Sequence, residues 1–157
     1  MTRVFMETLF KLSGLAVLPF WALMIFLPRW SATKRLMSSP LVCAVPAALY
    51  AALVIPRFGE VWLAVSDPEL SGVAALLGSP VGATVGWLHF LAFDLFVGRW
   101  IYLDGRERGV PAWAMAPALF LTLMFGPCGF LLYLLARHRR GHLQAGENVI
   151  LVSTVSK

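Results

Sequence analysis

Four side chains that can carry charge or exchange a proton lie in one strongly apolar stretch, HFLAFDLFVGRWIYLD, at His89, Asp94, Arg99 and Asp104. A charged carboxylate near the middle of a bilayer costs at least ~2.5 kcal/mol, so such a residue usually faces a cavity, a partner or a proton path. His89 and Asp94 lie deepest in the stretch. Polar contacts between helices are the alternative explanation for these two. Arg99 could instead reach the headgroups, and Asp104 could be an interfacial carboxylate.

A single helix would distribute these groups over several of its sides. At about 100° per residue, His89 and Arg99 each lie about 140° from Asp94, in opposite senses, so no simple salt bridge with a spacing of four residues joins them. Trp87 shares the face of Asp94. We therefore expect this helix to lie inside a bundle, where the polar groups meet other helices or a bound ligand.

The composition identifies the class of protein that must position these residues. Hydrophobic residues make up 59% of the 157 and charged residues only 13%, whereas a soluble domain has about 25% charged residues. This composition predicts an integral membrane protein. The net charge of +5 comes from scattered arginines and lysines without a nucleic-acid-binding motif, so nucleic acid is not expected as a partner, whereas membrane lipid is.

The hydropathy pattern predicts an all-α fold, an integral membrane four-helix bundle in one domain over residues 1–136, followed by a basic polar tail over 137–157. The predicted spans are 9–27, 40–55, 81–103 and 112–136, with a short interfacial element between the second and third. An even number of spans places both termini on one side. The basic residues number seven on that side and five on the other, which favours the cytoplasm only weakly.

Outside the polar helix the sequence offers few candidates for chemistry. No metal-ligand, Walker or dinucleotide-binding motif is present, so neither a metal nor a cofactor is expected. Glu69, in PELSG, is a candidate for binding a substrate, although it could simply be a carboxylate at the start of a helix. Gly82 and Gly86 form a small-residue pattern that permits close helix contact, and a homodimer formed through this face is an open question.

Four segments of the chain resemble a known family. They read VLPFWALMIFLP, PELSGVAALLGSP, WLHFLAFDLFVGRWIYLDG and LMFGPCGFLLY. Their order and spacing resemble those of the corresponding segments in the plant abscisic-acid-deficient four family. The members of this family are plastid membrane proteins required for neoxanthin synthesis. The third segment is the most specific of the four. The Ala-, Arg- and Gly-rich composition of the chain suggests a bacterial member of the family. We therefore expect the protein in a bacterial inner membrane.

The resemblance implies a membrane enzyme that acts on a carotenoid or a related polyisoprenoid. Conversion of violaxanthin to neoxanthin opens an epoxide and removes a proton from the adjacent polyene carbon, so it needs an acid and a base but no redox cofactor. On this hypothesis either His89 or Asp94 is the base and the other is the acid or its orienting partner. Arg99 holds an oxygen function or counters the charge of Asp94. Trp87, Glu69 and Asp104 would bind the substrate.

A second reading is a non-catalytic membrane protein that binds a carotenoid or lipid and assists a separate enzyme. The chain is 13% aromatic, and residues such as Trp87 and Trp100 could line a groove for a polyene. The separation of about 140° between His89 and Asp94 tells against both touching one substrate atom. Transport is the least favoured function, because only one helix carries polar groups.

Overall fold

The computed structural model describes residues 3–138, and this part of the chain is helical without any strand. Its elements are α1 (Arg3–Phe26), α2 (Ser31–Ser38), α3 (Ala44–Val54), α4 (Phe58–Ser66), α5 (Leu70–Gly78), α6 (Pro80–Glu107), α7 (Ala112–Phe125) and a further helix, α8, over 127–138. Short 3-10 turns at Pro40–Cys43 and Ile55–Arg57 lead into and out of α3. The prediction of an all-α fold is confirmed.

The long helix α6, which carries the four polar residues, lies at the centre of the fold. It packs against α1, α3, α5 and α7. Leu88, Leu95, Ile101 and Tyr102 along it are fully buried. Its start is fixed by Ser79, whose hydroxyl accepts a hydrogen bond from the Gly82 N–H at 2.9 Å, with Pro80 in the first turn. A helix with polar groups on several sides thus has neighbours on several sides.

Helices α1 and α6 run parallel to each other along most of their length. The Phe10 ring stacks on Trp87, and further along the Trp21 ring lies directly on Gly98, where a Cβ atom would have no room. Just beyond the end of α1, the carbonyl of Pro28 accepts a hydrogen bond from the Tyr102 hydroxyl at 2.9 Å. Helix α1 begins at Arg3, earlier than the expected start of the first span at residue 9.

The second predicted span, 40–55, extends further than expected. The chain is helical from Pro40 to Ser66, a stretch of 27 residues, because Pro56 lies in the first positions of a 3-10 turn, where its missing N–H costs nothing. The stretch runs antiparallel to α6, since Ser38 lies by Arg99 and Tyr50 by His89. The predicted interfacial element is therefore two helices: α4, which continues the second segment, and α5.

Helix α5 covers the small-residue face of α6. A Cβ atom at Gly82 would collide with the carbonyl of Leu76, and one at Gly86 would stand 3.2 Å from the Leu77 side chain. The pattern therefore serves a contact inside the chain. A homodimer stays a prediction, but this face is not free to form it.

The fourth predicted span, 112–136, is wrong as a single helix. Gly126 interrupts it with a φ of +39°, a backbone conformation that suits glycine. Helix α8 then folds back onto α7, since a Cβ atom at Gly129 would collide with the backbone around Thr122 and Ala118. The two helices form a hairpin that begins and ends near Gly105, where both Met115 and Tyr133 lie. The sequence contained this signal as GPCG, a glycine-proline break.

Three helical stretches are long and apolar enough to cross a membrane: Arg3–Phe26, Pro40–Ser66 and Pro80–Glu107. Helix α7 has 14 residues and is a shorter apolar helix. The predicted count of four membrane-length helices is therefore not confirmed within residues 3–138. The predicted tail, 137–157, lies almost entirely outside the described residues.

Candidate functional site

A cavity of about 480 Å³ lies between α3, α4, α5 and the first half of α6. Its walls are mostly valine, leucine and alanine, and only a few polar side chains reach it. These polar residues are Tyr50, Arg57, Glu60, Ser79 and His89. An apolar wall with a few polar groups is typical of a binding site for a small organic ligand. Such sites have volumes of about 300–1,000 Å³.

His89 lies in the wall of this cavity, on the side of α6 that faces α3. Its ring contacts that of Phe93, with centroids 4.7 Å apart, and that of Tyr50 at 5.7 Å. The side chains of His89 and Phe90 are both exposed, so the cavity opens to the surroundings of the bundle. An imidazole in this position can exchange a proton with a molecule that enters the cavity.

The charged part of the cavity comes from the beginning of α4. Arg57 closes the 3-10 turn and donates one hydrogen bond, to the carbonyl of Leu53 at 3.3 Å. Glu60 follows three residues later, in the first turn of α4. Sequence reasoning gave Tyr50, Arg57 and Glu60 no functional role. The signal was present: at a helical period Tyr50, Arg57 and Val61 share one face, but only if the helix continues through Pro56.

Asp94 does not line this cavity. Its carboxylate points to the tip of the α7–α8 hairpin, where a Cβ atom at Gly126 would stand 2.7 Å from the carboxylate Oδ1. The side chain is half-buried. His89 and Asp94 face different neighbours, and the structure does not bring them together on one cavity.

Arg99 is bound to the end of α2. Its Nε donates a hydrogen bond to the carbonyl of Met37 at 2.7 Å, and its Nη2 donates one to the carbonyl of Ser38 at 2.9 Å. The last carbonyls of a helix lack partners within the helix and carry partial negative charge, so a guanidinium is favourable there. Among residues 3–138, no ion pair joins Arg99 to Asp94.

Asp104 is the centre of a cluster of charges at the end of α6. It accepts a hydrogen bond from the Tyr133 hydroxyl at 2.5 Å, and it pairs with Arg108 and Arg137, each at 3.0 Å. The Arg137 guanidinium also lies over the Trp100 ring. These contacts tie α8 to α6, and the cluster is remote from the cavity.

The two remaining predicted residues also lie away from the cavity lining. The Trp87 ring stacks on Phe10 with centroids 4.9 Å apart, and its buried indole N–H has no hydrogen-bond partner among residues 3–138. Glu69 immediately precedes α5, and its exposed side chain makes no capping hydrogen bond. Of the six residues predicted from sequence, only His89 lines the cavity. No group of three metal-ligating side chains occurs within the described range.

Comparison with known proteins gives two matches. Residues 8–133 match the family described as ABA DEFICIENT 4-like. The chain is also 31% identical over 129 residues to the Arabidopsis thaliana protein named ABA DEFICIENT 4, chloroplastic, a match that covers 78% of this chain and 57% of that protein. No solved structure matches the chain.

The chain thus spans less than two thirds of the length of the curated relative. Because that relative is a chloroplast protein, the prediction of a bacterial inner membrane receives no support from it. The predicted family is confirmed, since the match extends from within α1 to within α8. This chain belongs to the ABA DEFICIENT 4-like family.

Proposed function

We propose that the chain is an integral membrane protein with three crossings and one re-entrant hairpin. The crossings are α1, the stretch Pro40–Ser66 and α6, which have the necessary length and apolar composition. The hairpin formed by α7 and α8 enters and leaves on the side where α1 and α6 end. Irregular backbone within a bilayer must be buried in protein or line a cavity, and Gly126 at the hairpin tip is buried.

This arrangement puts residues 3 and 138 on opposite sides of the membrane. The side where α1 and α6 end, which we call the basic face, carries Arg29, Lys34, Arg35, Arg106, Arg108 and Arg137, whereas the other side carries Arg3, Lys11 and Arg57. The positive-inside tendency then places the basic face in the cytoplasm or an equivalent compartment. This proposal replaces the expectation of both termini on one side, which rested on a fourth span.

We further propose that the cavity binds a carotenoid or a related polyisoprenoid and that the protein isomerises it by acid–base chemistry. The single observation that carries this proposal is the position of His89, a proton-exchanging group in the wall of an apolar cavity that opens towards the lipid. Membership of the ABA DEFICIENT 4-like family supports the substrate class. A carotenoid is longer than the cavity, so one terminal ring would enter while the polyene extends between helices and lipid.

His89 would act as the base that removes the proton from the polyene carbon next to an opening epoxide. The Tyr50 hydroxyl is the acid that the cavity offers for the epoxide oxygen, since its ring lies against the imidazole. The C–H and C–O bonds break, an allene and a hydroxyl form, and the proton taken by His89 returns through Tyr50 or water. The reaction is an isomerisation, so no redox cofactor is required.

A non-catalytic binding role is the second candidate. One observation favours it: the two groups expected to form the acid–base pair, His89 and Asp94, face different neighbours. On this reading His89 and Tyr50 contribute an aromatic surface against which a ring packs, and another protein performs the chemistry.

The experiment is a pigment profile, by chromatography and mass spectrometry, of cells that make β-carotene, zeaxanthin or violaxanthin. The cells express the wild-type chain, His89→Gln, or the matched control His138→Gln, whose histidine lies at the far end of α8. Catalysis predicts a new pigment of unchanged mass with the wild type and the control, which His89→Gln abolishes. If the wild type is inserted and abundant in all three cell types but changes no pigment, the isomerase proposal fails for these substrates.

A further inference from the structure

We propose that Arg57 and Glu60 are ligand-binding residues, and that together they hold a hydroxyl group of the ligand at the end of the cavity away from His89. This inference rests on the proposed function and adds to it a polar subsite that selects among ligands. It concerns which polyisoprenoids bind, and it holds equally for a catalytic and a non-catalytic protein.

The cavity lies between antiparallel helices, and its two ends carry chemically different residues. Tyr50 and His89 meet at one end. The second end lies at Arg57 on one wall and Gly82 on the other. Each is seven residues from Tyr50 or His89, which is roughly 10 Å along the helix axis. Arg57 and Glu60 have long side chains that shorten this distance. A hydroxyl group held by them would therefore be separated from His89 by about the width of one substituted ring.

The bonding of Arg57 and Glu60 leaves them available to a ligand. Glu60 forms no hydrogen bond or ion pair with any residue of the described range, and α4 has no buried residue that would hold it by packing. Arg57 donates to one backbone carbonyl within its own helix, which leaves further guanidinium N–H groups to donate. Glu60 is exposed and Arg57 is half-buried, so a ligand that enters the cavity can reach both side chains.

A guanidinium and a carboxylate at the same end of the cavity match the two sides of a hydroxyl group. The guanidinium donates to the hydroxyl oxygen, the carboxylate accepts its proton, and both hydrogen bonds are of the stronger, charge-assisted kind. An unsubstituted hydrocarbon ring can make neither bond, and it would also desolvate both charges. The subsite therefore predicts a preference for a ring that bears a hydroxyl group over the same ring without one.

The test compares two pigments that differ in their ring hydroxyls: zeaxanthin, which is hydroxylated on both rings, and β-carotene, which has none. The purified full chain in detergent micelles is titrated with each pigment, and binding is followed by quenching of tryptophan fluorescence. The variants are Glu60→Gln and Arg57→Gln. The matched control is Asp67→Asn, a carboxylate between α4 and α5 that does not line the cavity.

We expect the wild type and the control to prefer zeaxanthin. Each test variant should weaken zeaxanthin binding by roughly 10- to 100-fold, as for the loss of a hydrogen bond to a charged group, and should not weaken β-carotene binding, because one charge fewer is desolvated. A variant that is merely misfolded would lose both pigments. Glu60→Gln keeps the test valid if Arg57→Gln does not fold, since nothing described in the chain depends on the Glu60 charge.

Two results would overturn the subsite. One is a zeaxanthin preference that survives in both test variants, which leaves the proposed function standing. The other is equal binding of the two pigments by the wild type. If the wild type binds neither pigment, the carotenoid-binding proposal fails and the subsite fails with it.

Discussion

The carboxylate of Asp94 lies against the backbone of Gly126, halfway along the central helix and at the tip of the α7–α8 hairpin. The relationship joins the deepest acidic group of α6 to the point where the chain turns back. Gly126 has no side chain to displace the carboxylate, and its positive φ allows the turn. The start of α8 adds the positive end of a helix dipole beside the negative charge.

Gly126→Ala should destabilise the protein by about 1–3 kcal/mol, since alanine is strained at this φ and its Cβ would stand 2.7 Å from Asp94 Oδ1. Thermal unfolding in detergent measures the effect. Gly59→Ala is the control, because a Cβ at Gly59 in α4 meets nothing within 4 Å. Combining Gly126→Ala with Asp94→Ala should recover part of the loss. An unchanged unfolding temperature for Gly126→Ala would contradict the described hairpin tip.

Arg99→Gln should destabilise the protein by about 1–3 kcal/mol, because two charge-assisted hydrogen bonds to the end of α2 are lost. The loosened segment between α1 and α3 should also be cut faster by a protease in detergent. Lys34→Gln, which alters an exposed lysine of α2, is the matched control. If Arg99→Gln instead left stability and cleavage unchanged while abolishing pigment conversion, Arg99 would have the catalytic role predicted from sequence.

Asp104→Asn should lower stability by about 1–3 kcal/mol, since both arginines then lose their carboxylate partner. Tyr133→Phe removes one donor from the same cluster and leaves both arginine pairs in place, so it should cost less than Asp104→Asn. Unfolding in detergent at low and high salt separates the two effects, because screening weakens ion pairs. Equal losses for the two variants, independent of salt, would argue against an ion-pair cluster.

Single cysteines at residues 11 and 34 should be labelled from opposite sides of the membrane. The background replaces the two native thiols, Cys43→Ser and Cys128→Ser, and each variant is treated with a membrane-impermeant maleimide in oriented vesicles. A third cysteine in place of Arg108 should behave like the one in place of Lys34, because both positions belong to the basic face. Labelling of positions 11 and 108 from one side would exclude three crossings.

The sequence was sufficient to predict the all-α class and the position of the central helix. Polar groups on several sides of α6 predict several neighbours, and its contacts with α1, α2, α3, α5, α7 and α8 agree. The two errors in the predicted spans come from proline. Hydropathy averages over a window, so it missed the sharp reversal at Gly126 and Pro127. Conversely, the second span was predicted to end at residue 55, immediately before Pro56, although the first turn of a 3-10 segment accepts proline.

The site was predicted only in part, because partners across helices are not visible in the spacing within one helix. His89 was found because an imidazole is unusual in an apolar run. Tyr50 and Arg57 belong to another helical stretch. The second span was predicted to end at residue 55, so the two residues were not placed on one helix. Arg99 was predicted to hold an oxygen function or to counter the charge of Asp94, and Asp104 to bind substrate, because the sequence shows no partner for either. Their partners are the end of α2 and the arginines of α6 and α8, which only the folded chain brings close.

The central claim is that the cavity around His89 is an active site, and purified protein tests it most directly. The wild-type chain alone, without any other enzyme, is incubated with violaxanthin in detergent, beside His89→Gln and His89→Phe, the second of which retains an aromatic ring. We predict a product of unchanged mass and altered retention with the wild type, and none with either variant, while both variants still bind pigment. Equal conversion by all three proteins would contradict the role of His89, and binding without conversion by the wild type would assign the protein to the non-catalytic class.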